Sequence, residues 1–584
     1  MPKAHPRSMR RSQLWTIAGV IVAALIVLFV IIKEVKRYGP QRDPAILRAV
    51  SHRPLNPIAR KNKSTCLRPL KVLSRAAASY DPRKGHSRKK GEVMVRPMRF
   101  VVRARSARLV ALAAPVACAL VLLAGSPASA NVTVTQVSQD IYTDAQAQHN
   151  TEVEADTFVF GNTIVSAFQV GRVSGGGASN IGWATSTNGG ATSTHGYLPG
   201  ITTNGGGTFG QASDASVAFD ARDNVWMISS LGIRGSTVDV LVSRSTDGGL
   251  TWGNPVTVAT GANDKNWTVC DDTSTSPHFG NCYTEYDITS SGDSIRMRTS
   301  TNGGTSWGSA LAPGGSHTGL GGQPVALPDG DVVVPYESLA GSIRSFRTTN
   351  GGTSWSSTVL VSSISHHTVA GSLREEPLPS AEADAAGTVY VTWADCRFRS
   401  GCPSNDIVLS KSTSETTWAA PTRIPIDPVT STVDHFTPGV AVDHSTSGSA
   451  ARIGVTYYYY PSASCTASTC QLDVGFISSV NGGSTWSAAT QVAGPMNLSW
   501  LPNTSDGRMF GDYVSTSIPA GGNAYPVLPI ASAPTGSTFN QAMLVPSGGL
   551  AVTGGTNAAT PARRAVATAP ARHPAGPPIP LTAR

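Results

Sequence analysis

One short motif recurs along this chain and constrains its fold more than any other feature. Each intact copy begins with Ser or Thr, has Asp or Asn at its third position followed by two glycines, and ends in Trp. The intact copies are STDGGLTW at 245–252, STNGGTSW at 300–307, TTNGGTSW at 348–355 and SVNGGSTW at 479–486. Weaker copies at 186–193 and 412–418 lack the tryptophan and the glycines, respectively. The copies start roughly 50 to 65 residues apart, a period typical of propellers, solenoids and other arrays.

The residue types in the motif predict a tight turn between two strands. The acidic or amide side chain bonds to nearby backbone amides, as in an Asx turn, and the glycines take positive φ without steric cost. The closing tryptophan begins the next strand and packs its ring into the sheet. The residues that carry these structural roles are Asp247, Trp252, Asn302, Trp307, Asn350, Trp355, Asn481 and Trp486.

Between the motifs the sequence consists of short β-rich runs separated by Gly, Ser, Asn and Asp. One unit shows four such runs, at 215–219, 224–230, 238–243 and 251–259. Several strands per repeat with regular turn signals indicate an all-β sandwich, barrel or propeller. Six motif copies predict a six-bladed β-propeller of four-stranded antiparallel blades over residues 131–550. The segments before the first copy and after the last would share one blade and close the ring.

The pattern S/T-x-D/N-x-G-x-T/S-W resembles the Asp box, or BNR repeat, of the sialidase (neuraminidase) superfamily. The resemblance implies a sialidase-like propeller with these boxes on its outer rim, where they are structural, since fold does not imply function. It also implies an exo-alpha-sialidase-like glycoside hydrolase. Such an enzyme releases a terminal sialic acid, or a related acidic sugar, from a glycan or glycoconjugate.

The net charge of +10 is unevenly distributed along the chain. Residues 1–130 contain 26 Lys and Arg against 4 Asp and Glu, whereas the remaining residues contain 20 against 32. The predicted propeller is therefore acidic. This argues against a nucleic-acid partner, because such a partner needs a basic face on the domain itself.

A basic leader is predicted at 1–97, and it contains an apolar run at 14–32 that is long enough to cross a bilayer. Basic residues flank this run on both sides, so positive charge does not set its orientation. One hypothesis is that translation starts further downstream and that this leader is not part of the working protein. The alternative is a genuine transmembrane anchor that holds the propeller outside the cell.

A second apolar run, at 109–124, has the arrangement of a signal peptide. Arginines precede it and Ser126-Pro-Ala-Ser-Ala130 follows it, which together give a charged region, an apolar region and an A-x-A-like cleavage site. We therefore assign 98–130 to a signal peptide-like segment, with translation starting at Met98 or Met94. The mature chain would begin at Asn131 and be secreted.

Six of the eight cysteines lie in the predicted mature chain, close together in pairs. An even number at short spacings in an exported chain predicts disulfides. The expected pairs are Cys270 with Cys282, Cys396 with Cys402 and Cys465 with Cys470. No pair has C-x-x-C spacing with partnered histidines, so a zinc site is not indicated. We expect no cofactor, and structural calcium is a possibility that the sequence does not indicate.

The geometry of a four-stranded blade sorts its loops between two faces. The motif joins the third strand to the fourth, so the loops from second to third strand and from one blade to the next share the opposite face. Most arginines of the predicted propeller fall in these loops, and functional loops on a rigid scaffold are the usual arrangement. The candidate residues on this face are Asp264, Lys265, Tyr336, Arg374, Glu375, Glu376, Asp395, Arg397, Arg508 and Asp512.

The sialidase resemblance assigns roles to these residues by type. Arginines hold a substrate carboxylate by bidentate bonds, and the family uses a tyrosine nucleophile with a glutamate base and an aspartate acid. The candidate clamp residues are Arg374, Arg397 and Arg508. The candidate catalytic residues are Tyr336 as nucleophile, Glu375 or Glu376 as its base and Asp395 as acid. Further substrate-contact candidates are Asp264, Lys265 and Asp512, although Asp264 with Lys265 is also open to interpretation as a structural ion pair.

The chain departs from the sialidase pattern at one motif. The family carries Arg-Ile-Pro before its first box, whereas the only copy here is Arg423-Ile-Pro425, after the fifth. A second hypothesis is therefore a propeller without catalysis that binds glycan or protein at the same face, and a third is a membrane-held surface scaffold. We expect a monomer. Residues 551–584, rich in Ala, Pro, Arg and Thr, are expected to be disordered.

Overall fold

The computed structural model describes residues 132–561. The predictions for the leader at 1–97, including its apolar run at 14–32, and for the signal-like segment at 98–130 lie outside this range. Among the described residues no helix is long and apolar enough to span a membrane. The helical segments there are short 3₁₀ turns, namely Thr203–Gly205, Thr289–Ser291, Ala370–Ser372, Gly448–Ala450 and Leu498–Trp500.

The described chain is otherwise built from strands and the turns between them. In chain order the strands are β1 Val134–Gln136, β2 Glu152–Phe160, β3 Thr163–Arg172, β4 Ala178–Ser186, β5 Thr194–Tyr197, β6 Gln211–Asp220, β7 Val225–Arg234, β8 Thr237–Ser245, β9 Val256–Ala259, β10 Asn263–Cys270, β11 Cys282–Ile288, β12 Ser294–Ser300, β13 Gly319–Leu320, β14 Val325–Ala326, β15 Val332–Ser338, β16 Ser342–Thr348, β17 Val359–Ser363, β18 Ser380–Ala383, β19 Val389–Asp395, β20 Asp406–Ser412, β21 Thr422–Arg423, β22 Asp434–Val442, β23 Ile453–Tyr460, β24 Gln471–Ser479, β25 Thr485–Trp486, β26 Thr490–Asn497, β27 Asn503–Thr504, β28 Gly507–Arg508, β29 Ser515–Ser517, β30 Tyr525–Ala531, β31 Gln541–Pro546, β32 Asn557–Ala558 and β33 Thr560–Pro561.

These strands form antiparallel sheets that follow one another along the chain as the blades of a β-propeller. Five sheets contain four or more strands, and a sixth contains three. The largest, with eight strands, consists of two units, β2 to β5 and β6 to β9, joined through the single pair Ala178 and Ala212. We number the blades from these two units: blade 3 is β10 to β12, blade 4 is β13 to β17, blade 5 is β18 to β21, and blade 6 is β22 to β26. The last blade, blade 7, contains β29 to β31 and β1, and we call it the closing blade.

The innermost strands form a closed ring. They are β2, β6, β10, β14, β18, β22 and β29; each contacts the next, and β29 contacts β2. The ring therefore has seven positions among the described residues, and the predicted count of six blades is not matched. The six motif copies mark blades 1 to 6. The seventh blade has no motif because it combines both ends of the propeller, with β1 paired to β31 at Val134 and Pro546.

The turn predicted from the motif is confirmed by its hydrogen bonds. Asp247 Oδ1 accepts from the amide of Thr251 at 2.9 Å, and Ser245 Oγ accepts from the amide of Gly249 at 3.0 Å. Asn350 Oδ1 accepts from the amide of Ser354 at 3.0 Å in the same way. The two glycines of each intact copy have positive φ, a conformation that glycine adopts without steric cost.

Hydrophobic cores lie in the seams between neighbouring blades. One cluster joins Met227 and Val240 of blade 2 to Tyr286 of blade 3, and another joins Val325 of blade 4 to Trp393 of blade 5. Burial of such side chains contributes about 25 cal/mol per Å² of apolar surface. Apolar packing thus holds neighbouring blades together. Polar side chains are then not needed for these contacts and can lie at the axis.

The three expected disulfides are confirmed in the structure. Cys270–Cys282 links neighbouring residues of β10 and β11, whereas Cys396–Cys402 and Cys465–Cys470 close loops between second and third strands of blades 5 and 6. The start of the predicted disordered tail differs from expectation. Residues 557–558 pair with β25 and residues 560–561 pair with β21, because backbone groups at the edges of these sheets bind a further strand whatever its side chains.

Candidate functional site

Four innermost strands carry the same backbone irregularity near the propeller axis. Glu154, Asp214, Lys265 and Thr437 each have φ between 46° and 56°, and each lies where the pairing of its strand shifts by one residue. Such β-bulges leave an extra residue out of the ladder and re-aim its side chain. Non-glycine residues in this conformation cost about 1–3 kcal/mol each and cluster at functional sites. The repeated bulge therefore marks the axis as the first place to look for function.

A charged network joins these bulges to the loop before β29. Arg374 Nε donates to Asp512 Oδ1 at 2.8 Å, and Lys265 Nζ also binds the Asp512 carboxylate. The backbone amide of Asp512 donates to Glu154 Oε1 at 3.2 Å, and Lys265 Nζ lies 3.9 Å from the same oxygen. Lys265 thus lies between two carboxyl groups from opposite ends of the propeller sequence.

The two carboxyl groups of this network have different proton affinities. Burial raises the pKa of Glu154 to about 8, although Lys265 opposes the shift. Burial also acts on Asp512, but Arg374 and Lys265 outweigh it and lower the pKa of Asp512 well below its ordinary value. At neutral pH one group is largely protonated and the other is ionised. Environments that separate the pKa values of two carboxyls are how glycosidases obtain an acid and an ionised partner.

A pocket opens beside this network. The polar side chains among its lining residues are Asp214, Lys265, Asn266, Gln323, Ser380, Thr437 and Asp512, and its enclosed part has a volume of about 30 Å³. This volume holds about one water molecule. A larger ligand would therefore place only an edge inside the pocket and rest the remainder at its mouth.

Three polar atoms of the pocket lining have no hydrogen-bond partner among the described residues. They are Asp214 Oδ2, Asn266 Oδ1 and Thr437 Oγ1, and all three residues are buried. A buried unpaired polar group costs about 1–3 kcal/mol, so native proteins keep few of them. All three belong to residues that line one pocket, so this pocket is a place where unpaired polar groups lie close together.

An aromatic pair forms another wall of the pocket. The rings of Trp267 and Tyr513 meet edge to face with centroids 5.1 Å apart, and Lys265 Nζ lies 5.9 Å from the Tyr513 centroid. Tyr513 is fixed by its hydroxyl, which donates to the carbonyl of Ala215 at 3.0 Å. The pocket thus combines a rigid apolar surface with unpaired hydrogen-bonding groups.

A layer of acidic residues lies next to the pocket in blade 3. Burial and the nearby Asp214 raise the pKa of Asp264 to about 7, and Asp264 lies opposite Asp287 in the β10–β11 ladder. Burial, with the neighbouring Asp287, also raises the pKa of Glu285 well above its ordinary value. Neither carboxylate oxygen of Glu285 has a hydrogen-bond partner among the described residues. These groups hold protons close to the axis.

The structure brings together three of the residues predicted for the site, namely Lys265, Arg374 and Asp512, with Asp264 beside them. The suggested Asp264–Lys265 ion pair does not form, since Lys265 binds Asp512 instead. Arg508 lies at the edge of this group. Its backbone carbonyl accepts from the amide of Arg374 at 2.8 Å, but its guanidinium donates to the carbonyl of Leu501 at 2.7 Å.

Asp395 and Arg397 do not contact the network of Lys265, Arg374 and Asp512 and instead bind each other. Arg397 Nε donates to Asp395 Oδ1 at 2.8 Å, and the other Asp395 oxygen accepts from Trp393 Nε1 at 3.0 Å and from the amide of Ser365 at 3.2 Å. Asp395 is completely buried. Because both oxygens are occupied by the chain itself, this pair braces the loop that follows β19.

Tyr336, Glu375 and Glu376 are also placed away from the pocket lining. Tyr336 lies in the core between blades 3 and 4, and its hydroxyl donates to the carbonyl of Ser316 at 2.9 Å. Glu375 Oε2 lies 3.0 Å from His366 Nε2. Burial disfavours the imidazolium, but Glu375 outweighs it and raises the pKa of His366 to about 9. Glu376, in the loop before β18, is exposed at its surface. Burial raises its pKa, and Asp512, Lys265 and Arg374 of the network lie near enough to act on it.

Arg423 of the Arg-Ile-Pro segment is buried in a network of ion pairs. Arg423 Nε lies 2.9 Å from Asp406 Oδ1, and Arg399 binds Asp406 and Asp427 at 2.6 and 2.9 Å. Ligand atoms of Asp406, Asp427 and His435 lie within 4.8 Å of one another. Two guanidinium groups already neutralise these carboxylates, so the arrangement is that of an ion-pair network.

The sequence reasoning missed most of the pocket's binding groups. Glu154 and Asp214 occur in ordinary β-rich runs without a neighbouring glycine or proline. Thr437 is followed by Pro438 and Gly439, and such residues inside a strand are a signal for a bulge. Asn266 and Trp267 follow two residues that were selected, Asp264 and Lys265. For these two, adjacency along the chain was the available signal.

Comparisons with known proteins give structural neighbours only. No family model matches the chain, and no curated protein matches it. It is similar to a leech intramolecular trans-sialidase at 12% identity and a TM-score of 0.37, covering 55% of this chain and 67% of the other. It is similar to the GH93 alpha-L-arabinofuranosidase of Fusarium graminearum at 14% identity and a TM-score of 0.35, covering 58% and 97%.

A polysaccharide lyase of family PL25, an ulvan lyase, is similar at 11% identity and a TM-score of 0.41, covering 72% of this chain and 95% of the other. All three neighbours are named as enzymes that act on carbohydrates. At such low identities and TM-scores, however, the likeness decides nothing about what this chain binds or cleaves. Its function has to be argued from its own pocket.

Proposed function

We propose that this propeller is a carbohydrate-active protein that binds a sugar residue at the axial pocket. One observation carries the proposal: three buried, unpaired polar atoms converge on a pocket that also contains an aromatic pair. A sugar ring offers several hydroxyl groups around an apolar face, so it matches both features at once. Ligand sites of this kind combine an apolar lining with a few well-placed polar groups.

We assign a partner on the sugar to each of these groups. Asp214 Oδ2 and Asn266 Oδ1 are acceptors and receive hydrogen bonds from sugar hydroxyls, whereas the hydroxyl of Thr437 both donates and accepts. Trp267 offers an apolar surface to the carbon face of the ring. Only the hydroxyl-bearing edge enters, since the enclosed volume is about 30 Å³.

Two carboxyl groups beside the pocket supply the chemistry of glycoside hydrolysis. Glu154 lies behind the pocket lining, where it accepts from the Asp512 amide and from Gln169 Nε2, and burial raises its pKa to about 8. We assign it the proton that passes to the leaving glycosidic oxygen, which takes the place of Gln169 at Oε2, while ionised Asp512 stabilises the positive charge that develops at the anomeric carbon. Water then adds to that carbon and returns a proton to Glu154. Most glycosidases use such a pair of carboxyl groups.

An exo-alpha-sialidase is the narrower form of this proposal and rests on the motif resemblance alone. It requires arginines that hold the substrate carboxylate. Among the described residues, Arg374 binds Asp512, Arg397 binds Asp395, and Arg508 donates to a backbone carbonyl. We therefore place neutral sugars ahead of sialosides as substrates. The three disulfides support the proposed secreted location, because disulfides persist in oxidising compartments.

The test is hydrolysis of a panel of fluorogenic glycosides, sialosides included, by the purified chain and by Glu154→Gln and Trp267→Ala. We expect Glu154→Gln to reduce kcat at least 100-fold, since proton transfer contributes about 10²–10⁴-fold, and Trp267→Ala to act mainly on KM. Asp223→Asn, the same type of change at an exposed rim carboxylate, is the control and should leave turnover unchanged. Turnover that survives Glu154→Gln at full rate would refute the assigned acid.

A glycan-binding propeller without catalysis is the second candidate. The observation that favours it is the occupancy of Asp512, whose carboxylate is already bound by Arg374 and Lys265. Glycan-array binding that is lost in Trp267→Ala, with no turnover of any glycoside, would establish this candidate and reject the hydrolase.

A further inference from the structure

The tryptophans that close the motif copies share one packing rule. Trp252 of blade 2 meets Trp183 of blade 1 with ring centroids 6.4 Å apart, and Trp355 of blade 4 meets Tyr283 of blade 3 at 6.2 Å. In blade 5, Trp418 donates from Nε1 to Ser345 Oγ of blade 4 at 3.0 Å. Each ring thus lies against the preceding blade and fills the seam between the two.

The first motif copy keeps the turn but lacks the ring. Asn188 Oδ1 accepts from the amide of Thr192 at 2.9 Å, and Ser186 Oγ accepts from the amide of Gly190 at 2.9 Å, as in the intact copies. Gly190 faces the ring of Tyr525 in the closing blade just as Gly352 faces Tyr283. The position of the tryptophan is occupied by Ser193.

A cavity of about 130 Å³ lies in this seam, where the missing indole would be. Its apolar lining includes Ile164 and Ala184 of blade 1 with Val137, Val527 and Val545 of the closing blade. Hydroxyl-bearing residues also line it, namely Thr135, Ser166, Ser186, Thr192, Ser193, Tyr525 and Ser547. An engineered apolar cavity of about 150 Å³ in another protein binds benzene. The volume here is therefore sufficient for the six-membered ring of an indole, and because the cavity is open at its mouth the second ring need not be enclosed. The cavity lies at the motif turns, away from the axial pocket.

We propose that this seam is a binding site for a small planar aromatic molecule with the shape of an indole. The intact copies show that the same turn and seam accept an indole ring in its attached form. In the sixth copy, Trp486 Nε1 donates to the carbonyl of Gly483 at 3.1 Å. The residue at the same position of the first copy is Gly190. The indole N–H groups of Trp252, Trp307 and Trp355 have no partner among the described residues, so the shape of the seam, not a hydrogen bond, is what an indole would match.

The test is to titrate free indole into the full chain and to measure the heat of binding by calorimetry. Ser193→Trp restores the missing ring and should weaken indole binding at least tenfold while raising the urea midpoint of unfolding. Ser193→Ala, which leaves the cavity open, is the matched control and should bind indole as the natural protein does. Glycan binding at the axis should be the same in all three proteins.

The absence of indole binding to the folded natural protein at millimolar concentration would overturn the proposal, as would equal affinity in Ser193→Trp. If Ser193→Trp fails to fold, Val545→Phe narrows the cavity from the other blade and takes its place with the same expectation. Binding of cyclohexanol as tight as that of indole would also contradict the assigned aromatic ligand, since it would show a merely apolar void.

Discussion

The axial pocket and the loop at 395–406 contain the same kinds of residue in opposite states. In the loop, Asp395 is buried and both of its oxygens accept hydrogen bonds from neighbouring groups. In the pocket, Asp214 is buried and one of its oxygens has no partner among the described residues. A complete network stabilises the fold, whereas an unpaired buried oxygen costs about 1–3 kcal/mol until a ligand or water binds it.

The backbones of the two regions also differ: the strand that ends at the loop is regular, whereas the strand at the pocket is bulged. Asp395 ends a strand, β19, whose pairing with β20 has no register shift. Asp214 has φ of 48° and lies at a bulge of β6. Residue type alone therefore does not locate the site in this chain. Unpaired polar groups that lie together with left-handed backbone in one pocket lining are what distinguish the pocket from the loop.

The largest expected effect belongs to the loop. Asp395→Ala removes the carboxylate partner of the partly buried Arg397, which keeps its bonds to Ser362 and Ser363, and it leaves the Trp393 indole N–H and the Ser365 amide without their acceptor. The expected cost is about 3 kcal/mol, the lower end of the range for a broken buried pair. The free energy of unfolding, measured with urea, should fall by this amount. The folded fraction should still bind glycan with unchanged affinity, since Asp395 does not line the pocket. A loss below about 1 kcal/mol would show that the loop is not a closed structural network.

The pH dependence of stability separates the two regions further. The pKa of Asp264 is raised to about 7 by burial and by Asp214, so the folded protein binds more protons than the unfolded chain between pH 4 and 7. Its contribution is complete below pH 4 and is lost as pH rises through 7. Each unit of pH in this window removes at most about 1.4 kcal/mol per group.

An asparagine at position 264 does not titrate. In Asp264→Asn the urea midpoint should therefore fall less steeply as the pH rises from 4 to 7. The matched control is Asp223→Asn: the neighbouring Arg222 lowers the pKa of that carboxyl, so its titration falls below this window and the slope between pH 4 and 7 should be unchanged. An identical slope in the natural protein and in Asp264→Asn would contradict the raised pKa.

Much of the fold was predictable from the sequence, because its signals are local. The motif turn depends on an Asx side chain and two glycines within eight residues, and the three disulfides join cysteines close in sequence. The blade count was not predictable from the motif, since the seventh blade has none and pairs β1 with β31 across the whole propeller.

The candidate site was predictable only in part, because its groups come from different blades. Lys265, Arg374 and Asp512 were found through their loops, yet their mutual contacts depend on the closed ring. Tyr336 and Asp395 were selected by residue type, and the structure buries both. Burial and hydrogen-bond completeness are properties of packing between blades, which no short sequence pattern records.

The smallest expected effect is a gain in stability from a change in the pocket. It separates the pocket from the loop at 395–406 most clearly, because the change in the loop should lower stability. Asp214→Gly relieves the left-handed backbone, which costs a non-glycine residue roughly 1–2 kcal/mol, and removes the unpaired oxygen. Because glycine also makes the unfolded chain more flexible, the net gain should be about 1 kcal/mol. Glycan binding should be lost in the same variant, since the acceptor is gone. Urea unfolding and glycan-array binding measure both quantities. A variant that loses stability and keeps its affinity would show that Asp214 is a structural residue and that the axis is not strained for function.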